Sequence, residues 1–356
     1  MSNSPQIKHH GIAEDLRTKI TEGKIRDRLP PQPELAKQYR VHSITMGKAL
    51  KTLVEEGLLY RIPGQGTFVS DHHLTNTVAV VLSTLESPLH ERIIAGAEEG
   101  ASKNHNDLLV RAHKGDEKLE REIIIDLLEN HKVDGFLIWP SRRDEFSPAI
   151  TILTEKRVPF VAIRYSPTFV SGAKFSYVVN DDNAGSFLAA KHLVNRGHRE
   201  IGFLAPYAKP DTFASVVEDR RRNFNSALEE LGLEPARQII VDWMNNGWAS
   251  GNGLSDFRSQ LNGITGVFCF HDLLAANCIR SVERLGIRIP EDLSLIGYDD
   301  LDIAKYFDLT TVRQPMDQVG AKSVEALLAE IEGKRKNPKQ VTVKPELVER
   351  GSVQPV

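Results

Sequence analysis

Cysteine is almost absent: only Cys269 and Cys278 occur in 356 residues. With no CxxC pair and no companion His/Cys set, they exclude a disulfide framework and argue against structural zinc. No apolar run approaches the ~18 residues that a membrane span requires. The opening MSNSPQIKHHGIAEDL is polar and lacks the apolar core of a secretion signal. These absences predict a cytoplasmic protein without membrane contact. Signatures of common enzyme classes are missing too: no GxSxG, no P-loop GKS/T, no HExxH, and no GxGxxG after a strand. Neither catalysis nor a cofactor or metal is expected.

A hydrophobic share of 40% and a charged share of 26% describe an ordinary folded protein, and 356 residues suggest two or three domains. The net charge of −3 hides an asymmetry. Residues 1–70 carry eleven Lys/Arg against seven Asp/Glu, leaving 34 against 41 for the rest. A basic head on an acidic body is the expectation if only the head meets phosphate.

The head is organised around Leu29–Val69. A first helix is predicted over Ile7–Gly23, with Ile12, Leu16 and Ile20 at four-residue spacing. A second follows Pro30, Pro31 and Pro33 and runs to Tyr39. A third spans Ser43–Glu56, with Ser43 as N-cap and apolar residues at Ile44, Met46, Ala49, Leu50, Leu53 and Val54. Leu58–Ile62 and Thr67–Val69 read as a hairpin around Pro63-Gly64-Gln65-Gly66. Helix, turn, helix and hairpin outline a winged helix-turn-helix, which lays one helix in the major groove. Residues 71–76 are polar and read as a linker.

From Val78 the pattern changes to buried strands alternating with helices of about a dozen residues, the signature of parallel sheets with helices on both faces. The last predicted elements are a helix over Gln318–Glu332 and one strand over Val341–Val348. The strands are too many for one doubly wound unit, so two lobes are expected. The fold class is α/β, with an N-terminal winged helix-turn-helix over 1–70 and a doubly wound body over 77–356.

Residues 9–69 resemble the GntR family's DNA-binding domain through ELA (Glu34–Ala36), TxxxAL (Thr45–Leu50), LxxEGLL (Leu53–Leu59) and GQGTFV (Gly64–Val69). Residues 77–352 resemble the effector domain of LacI-type repressors through DGFLI (Asp134–Ile138), AAKHLVNRGHREIGFL (Ala189–Leu204), GIRIPEDLSLIGYDD (Gly286–Asp300) and LTTVRQP (Leu309–Pro315). The joint arrangement is similar to the arabinose-repressor branch of the GntR family. The resemblance implies a hinged body of the periplasmic-binding-protein-like type I fold. Its lobes would be roughly 77–178 with 314–337, and 179–311 with 340–350.

It also implies site residues. The GntR pattern usually carries arginines where this chain has Pro33, Ser43 and Gly47, and a glycine where it has Arg40. The DNA-facing candidates are therefore His42, Ser43, Thr45, Lys48, Lys51 and Thr52, with Arg61, Gly64, Gln65, Gly66 and Thr67 on the wing. Gly47 either lets the helix backbone approach DNA or reflects drift. For the effector, the resemblance points to Arg220, as a donor to hydroxyls or a carboxylate, and to Trp248, as a stacking platform. Trp139 could face Trp248 from the other lobe. Asp299 ends a strand where open α/β sheets place ligands. His271 and Arg164 stand where relatives carry Asn and Asp, and Ser83 ends the first body strand. Arg220 is expected to precede the helix containing Phe224.

The reading that follows is a ligand-controlled transcription regulator, a repressor of double-stranded operator DNA acting as a homodimer near the nucleoid, with a sugar as effector. A purine or nucleoside effector is the alternative within that architecture, because stacking aromatics with Arg, Asp and His serve both. A cytosolic solute-binding protein without DNA binding is the alternative outside it.

Overall fold

The computed structural model describes residues 5–21, 24–25, 27–62, 66–69, 75–142, 147–163, 175–207, 212–242, 251–334 and 337–356. In the head, α1 (Pro5–Thr21), α2 (Gln32–Gln38) and α3 (Ser43–Glu55) precede a hairpin of β1 (Leu59–Ile62) and β2 (Gly66–Val69), paired antiparallel. Met46, Ala49, Leu50 and Leu53 fall at i, i+3, i+4 and i+7, so one stripe of α3 packs on Ile12, Leu16 and Leu35. Ile44 does not join that stripe. Two residues before Met46 it lies across the helix and is 71% exposed. The N-cap is His42, without a side-chain cap bond, rather than Ser43. Arg40 itself adopts the left-handed conformation of the turn, φ 52°.

The body holds two six-stranded sheets. The first contains β3 (Thr77–Leu82), β4 (Asp107–Ala112), β5 (Gly135–Ile138), β6 (Phe160–Ile163), β7 (Ser176–Asn180) and β13 (Gln340–Val343). Its order is β13-β7-β6-β5-β3-β4, parallel throughout. The second contains β8 (Ile201–Pro206), β9 (Arg237–Val241), β10 (Gly266–Cys269), β11 (Ser294–Asp299), β12 (Thr310–Arg313) and β14 (Glu346–Val348). Its order is β14-β12-β11-β10-β8-β9, with β14 antiparallel to β12. Around the first sheet lie α4 (Pro88–Lys103), α5 (Glu117–Glu129), α6 (Pro148–Glu155) and α12 (Met316–Ile331). The second lobe carries α7 (Asp182–Asn195), α8 (Thr212–Glu230), α9 (Gly251–Gln260), α10 (Asp272–Arg284) and α11 (Asp302–Tyr306).

The chain passes between the sheets after Asn180, between Arg313 and Met316, and between Val343 and Glu346. The third passage corrects the expected single strand over 341–348. Pro345 has no N–H for a ladder and restricts Lys344, so the run splits into β13 and β14. Residues 340–343, expected in the second lobe, pair with β7 in the first. Val179 and Asn180 also end a first-sheet strand.

Asp134 joins the linker's end to this frame. Its carboxylate accepts from the Thr75 and Thr77 amides at 2.8 and 3.1 Å, and its own amide donates to Thr77 O at 2.8 Å. β5 then leads from Asp134, which precedes it, to Trp139, which follows it. Among the described residues no helix is long and apolar enough to cross a membrane, and no His/Cys/Asp/Glu group could hold a metal.

The first lobe depends on close backbone approach between α4 and α12. A Cβ on Gly96 would stand 1.9 Å from Asp317 O, and one on Gly320 would stand 2.2 Å from Ile93 O. Backbone cannot yield as a flexible side chain does. Gly320→Ala is expected to destabilise the body by about 3 kcal/mol, read as a lower urea midpoint with an unchanged slope; a wild-type midpoint would refute this packing.

Candidate functional site

The head presents one face of α3 and the wing. His42, Ser43, Lys48, Lys51 and Arg61 are exposed, while Thr45, Thr52 and Thr67 are half-buried. Some of these groups already have partners. The Thr52 hydroxyl donates to Lys48 O at 3.2 Å, and Lys51 lies 3.4 Å from Glu55. Gly66 begins β2 with φ 126°, whereas Gly64 and Gln65 lie outside the described residues.

Gly47 has a structural explanation that the sequence did not suggest. The Gln32 side-chain amide donates to Ser43 O at 2.9 Å and Ser43 Oγ at 3.2 Å. A Cβ on Gly47 would stand 2.9 Å from Gln32 Nε2. The glycine thus makes room for a side chain that ties the start of α2 to the start of α3. Pro33, Ser43 and Gly47, the positions without arginine, border this contact. Exposed Ile44 adds an apolar group of the kind that meets a thymine methyl.

Between the lobes lies a cavity of about 510 Å³. Ser83, Trp139, Arg220, His271 and Asp299, five of the seven sequence-predicted effector residues, line it. Arg164 and Trp248 lie outside the described residues. The lining also includes His90, His113, Asn180, Asp182, Phe270 and Gln314, none of them singled out in the sequence.

Arg220 is the ninth residue of α8, not a residue preceding it. The helix starts nine residues earlier than its apolar pattern indicated. Only 4% exposed, the guanidinium sits 3.7 Å from the Tyr298 ring and 4.7 Å from the Phe270 ring. Nη1 donates to Phe270 O at 2.5 Å, and Nη2 lies 3.6 Å from Asp182 Oδ1. Nε is buried without a partner among the described residues. Stacking and the carboxylate hold the cation in place, and the Nε–H is one donor they leave unused. Asp182 Oδ1 also accepts from Tyr298 at 3.0 Å and Asn180 at 3.1 Å.

Asp299 ends β11 at φ 112°, a strained backbone for a residue with a Cβ. Its Oδ1 accepts from Gln314 at 2.5 Å, so the second passage between lobes touches this cavity-lining carboxylate. Arg92, on α4 of the opposite lobe, donates to the Asp299 and Asp300 carbonyls at 3.0 and 2.5 Å. His271 caps α10, with Nδ1 accepting from Leu274 N at 2.9 Å. Burial, aided by the Arg220 charge, lowers its pKa to about 4. The ring is neutral at pH 7 with its proton on Nε2, a hydrogen-bond donor. Trp139 packs edge-on to His90, ring centroids 4.4 Å apart, and belongs to the first-lobe core. His90 Nδ1 donates to Thr84 O at 2.7 Å.

Against this geometry, residues 8–69 match the family of bacterial regulatory proteins called gntR, and residues 190–353 match the periplasmic binding protein-like domain. The head is a GntR-family domain and the body is periplasmic-binding-protein-like. The chain is 27% identical over 366 residues to the arabinose metabolism transcriptional repressor of Geobacillus stearothermophilus, covering 98% of each. It is 29% identical over 284 residues to the transcriptional repressor PurR of Photobacterium profundum, covering 78% of this chain and 81% of PurR. A LacI family regulator from Enterococcus faecium with bound ribose aligns at TM-score 0.64 and 27% identity, covering 79% of this chain and 99% of that one. The GntR-type head and LacI-type body expected from sequence are thus both present.

Asp272 lies directly behind the cavity wall. Burial, reinforced by Asp299, raises its pKa to about 8. Leu301 N donates to Oδ2 at 2.8 Å, and Thr311 Oγ1 lies 2.6 Å from Oδ1. A folded pKa above the unfolded value near 3.9 gives stability that is complete at low pH and lost as pH rises through 8. Asp272→Asn keeps the neutral hydrogen-bonding shape. Its urea midpoint relative to wild type should therefore climb between about pH 4 and pH 8; a difference flat in pH would contradict the raised value.

Proposed function

We propose that this protein is a ligand-responsive transcriptional repressor that grips operator DNA as a homodimer and senses a sugar between the lobes of its body. The observation that carries this reading is the presence, in one chain, of a winged helix and an inter-lobe cavity lined by Arg220, His271 and Asp299. The repressor relatives and the ribose-bound LacI regulator support it. Regulation follows if the effector binds one disposition of the lobes better than another, since a ligand shifts an equilibrium only by its differential affinity.

Sugar chemistry suits the described walls. Arg220 offers its buried Nε–H, neutral His271 lines the same cavity, and Asp299 brings a carboxylate that can accept from hydroxyls. Arg220's remaining edges are taken by Phe270 and Asp182, so its positive charge is already countered. A purine base is the competing effector, favoured by Phe270 in the lining and by the PurR likeness. A solute-binding role without DNA binding leaves the GntR-type head without a use.

Fluorescence anisotropy with the protein's own upstream DNA should show affinity falling steeply with salt; salt-insensitive binding would count against phosphate recognition. Calorimetry with mono- and disaccharides, and with purine bases alongside, should yield a sugar ligand. Asp299→Asn and Arg220→Ala should each weaken it by roughly 10- to 100-fold, the value of one charge-assisted hydrogen bond. Unchanged affinity in both folded variants would sink the cavity assignment, and a purine-only response would transfer it to the second reading.

A further inference from the structure

Arg28 lies before the helix-turn-helix, in no motif that points to DNA, yet it belongs physically to the wing. It forms an antiparallel bridge with Phe68. Leu29 N donates to Thr67 O at 2.8 Å, and Val69 N donates to Asp27 O at 2.7 Å. Residues 27–29 therefore lie along β2, joined to it by an isolated bridge.

The side chain is seated rather than loose. Its guanidinium lies 5.8 Å over the Phe68 ring, and that ring stacks with Tyr60 at 5.4 Å. A Cβ on Gly66 would stand 3.0 Å from Arg28 Nε and 3.2 Å from Nη2. The glycine at the start of β2 thus leaves a recess that the guanidinium fills. Fixing it on the ring removes rotamer freedom before any partner arrives, which lowers the cost of binding.

Charge pairing separates Arg28 from three cations of the head, although Lys37, Arg40, Lys48 and Arg61 share its lack of a carboxylate partner among the described residues; what distinguishes Arg28 is its seat on Phe68. Arg17 is 2.6 Å from Glu56, Lys19 is 2.8 Å from Asp15, and Lys51 is 3.4 Å from Glu55. Arg28 is exposed and has no carboxylate partner among the described residues. An exposed, pre-ordered guanidinium with no internal counter-ion suits an anion with two acceptor oxygens, and on a DNA-binding wing that anion is a backbone phosphate. The need for it is evident on α3, where Ser43 and Gly47 occupy positions that carry arginine in the GntR pattern.

We propose that Arg28 clamps an operator phosphate beside the wing, supplying from the segment before the helix-turn-helix a contact that α3 cannot make. This rests on the reading of the head as DNA-binding. A phosphate clamp positions the protein without reading bases, so it contributes equally to every duplex.

The test is anisotropy of the full chain with its own upstream DNA and with a scrambled duplex of equal length, from about 50 to about 300 mM salt. Arg28→Gln should lower affinity for both duplexes by the same factor, roughly 10-fold. It should also reduce the log–log salt slope by about 0.9, the value of one phosphate contact. Arg28→Lys should keep the slope but recover only part of the affinity, because it retains the charge without the stacked fork. Melting temperatures matching wild type place the effect on binding. Wild-type slope and affinity in Arg28→Gln would overturn the clamp alone. A loss confined to the upstream sequence would replace the phosphate by a base edge and overturn it too. A wild-type protein that binds neither duplex would remove the DNA-binding reading together with the clamp.

Discussion

The Asp182 carboxylate is the contact on which the body most depends. It accepts from Asn180, at the end of the last first-lobe strand before the passage, and from Tyr298, on the central strand β11 of the second lobe. It also stands beside the Arg220 guanidinium on α8. A nearly fully buried arginine needs a countercharge, and isolating it would cost several kcal/mol. Asp182 supplies that charge while the faces of Tyr298 and Phe270 enclose the guanidinium. Tyr298 approaches so closely that Gly185, one turn into α7, has no room for a Cβ: one would lie 2.3 Å from the phenol oxygen. One carboxylate therefore ties a lobe passage, a sheet core and a cavity-lining guanidinium together.

The second passage follows the same logic. Gln314 links Asn180 to Asp299, so the cavity carboxylate is bonded to a residue that must move if the lobes reorient. Arg92 crosses from α4 to the carbonyls of Asp299 and Asp300. The strained turn at Asp299 is thus held from both lobes. At the other end of the first lobe, Asp134 grips residues 75–77, and β5 connects that grip to Trp139 at the cavity. The strands that carry cavity residues also carry the root of the linker.

In the head, two glycines serve side chains rather than turns alone. Gly47 accommodates Gln32, and Gly66 accommodates Arg28. A DNA-facing surface without the usual arginines is built by lending space on α3 and the wing to residues earlier in the chain. Ile44 shows a related ambiguity: it is apolar, yet its helical phase places it in solvent.

Periodicity alone determined that a winged helix-turn-helix precedes two doubly wound lobes, because amphipathic spacing and buried apolar runs are local properties. The ends of β11 and β5, with Asp299 and Trp139, were legible for the same reason: strand ends are where such sheets expose side chains. What the chain alone could not show depended on contacts distant in sequence. The split of 341–348 into two sheets was hidden because each half alternates like an ordinary strand. The early start of α8, which makes Arg220 a mid-helix residue, was hidden because the charged run Glu218–Arg222 interrupts the apolar pattern of Phe213, Val216, Val217 and Phe224. His90, Asn180, Asp182 and Gln314 carry no motif that marks them as cavity-lining, and only folding brings them to one cavity. The identities of the buried arginine and the strained aspartate belong to the sequence; the buried, unpaired Nε–H, the neutral imidazole and the bonds between the passages belong to the tertiary structure, because burial and long-range pairing alone create them.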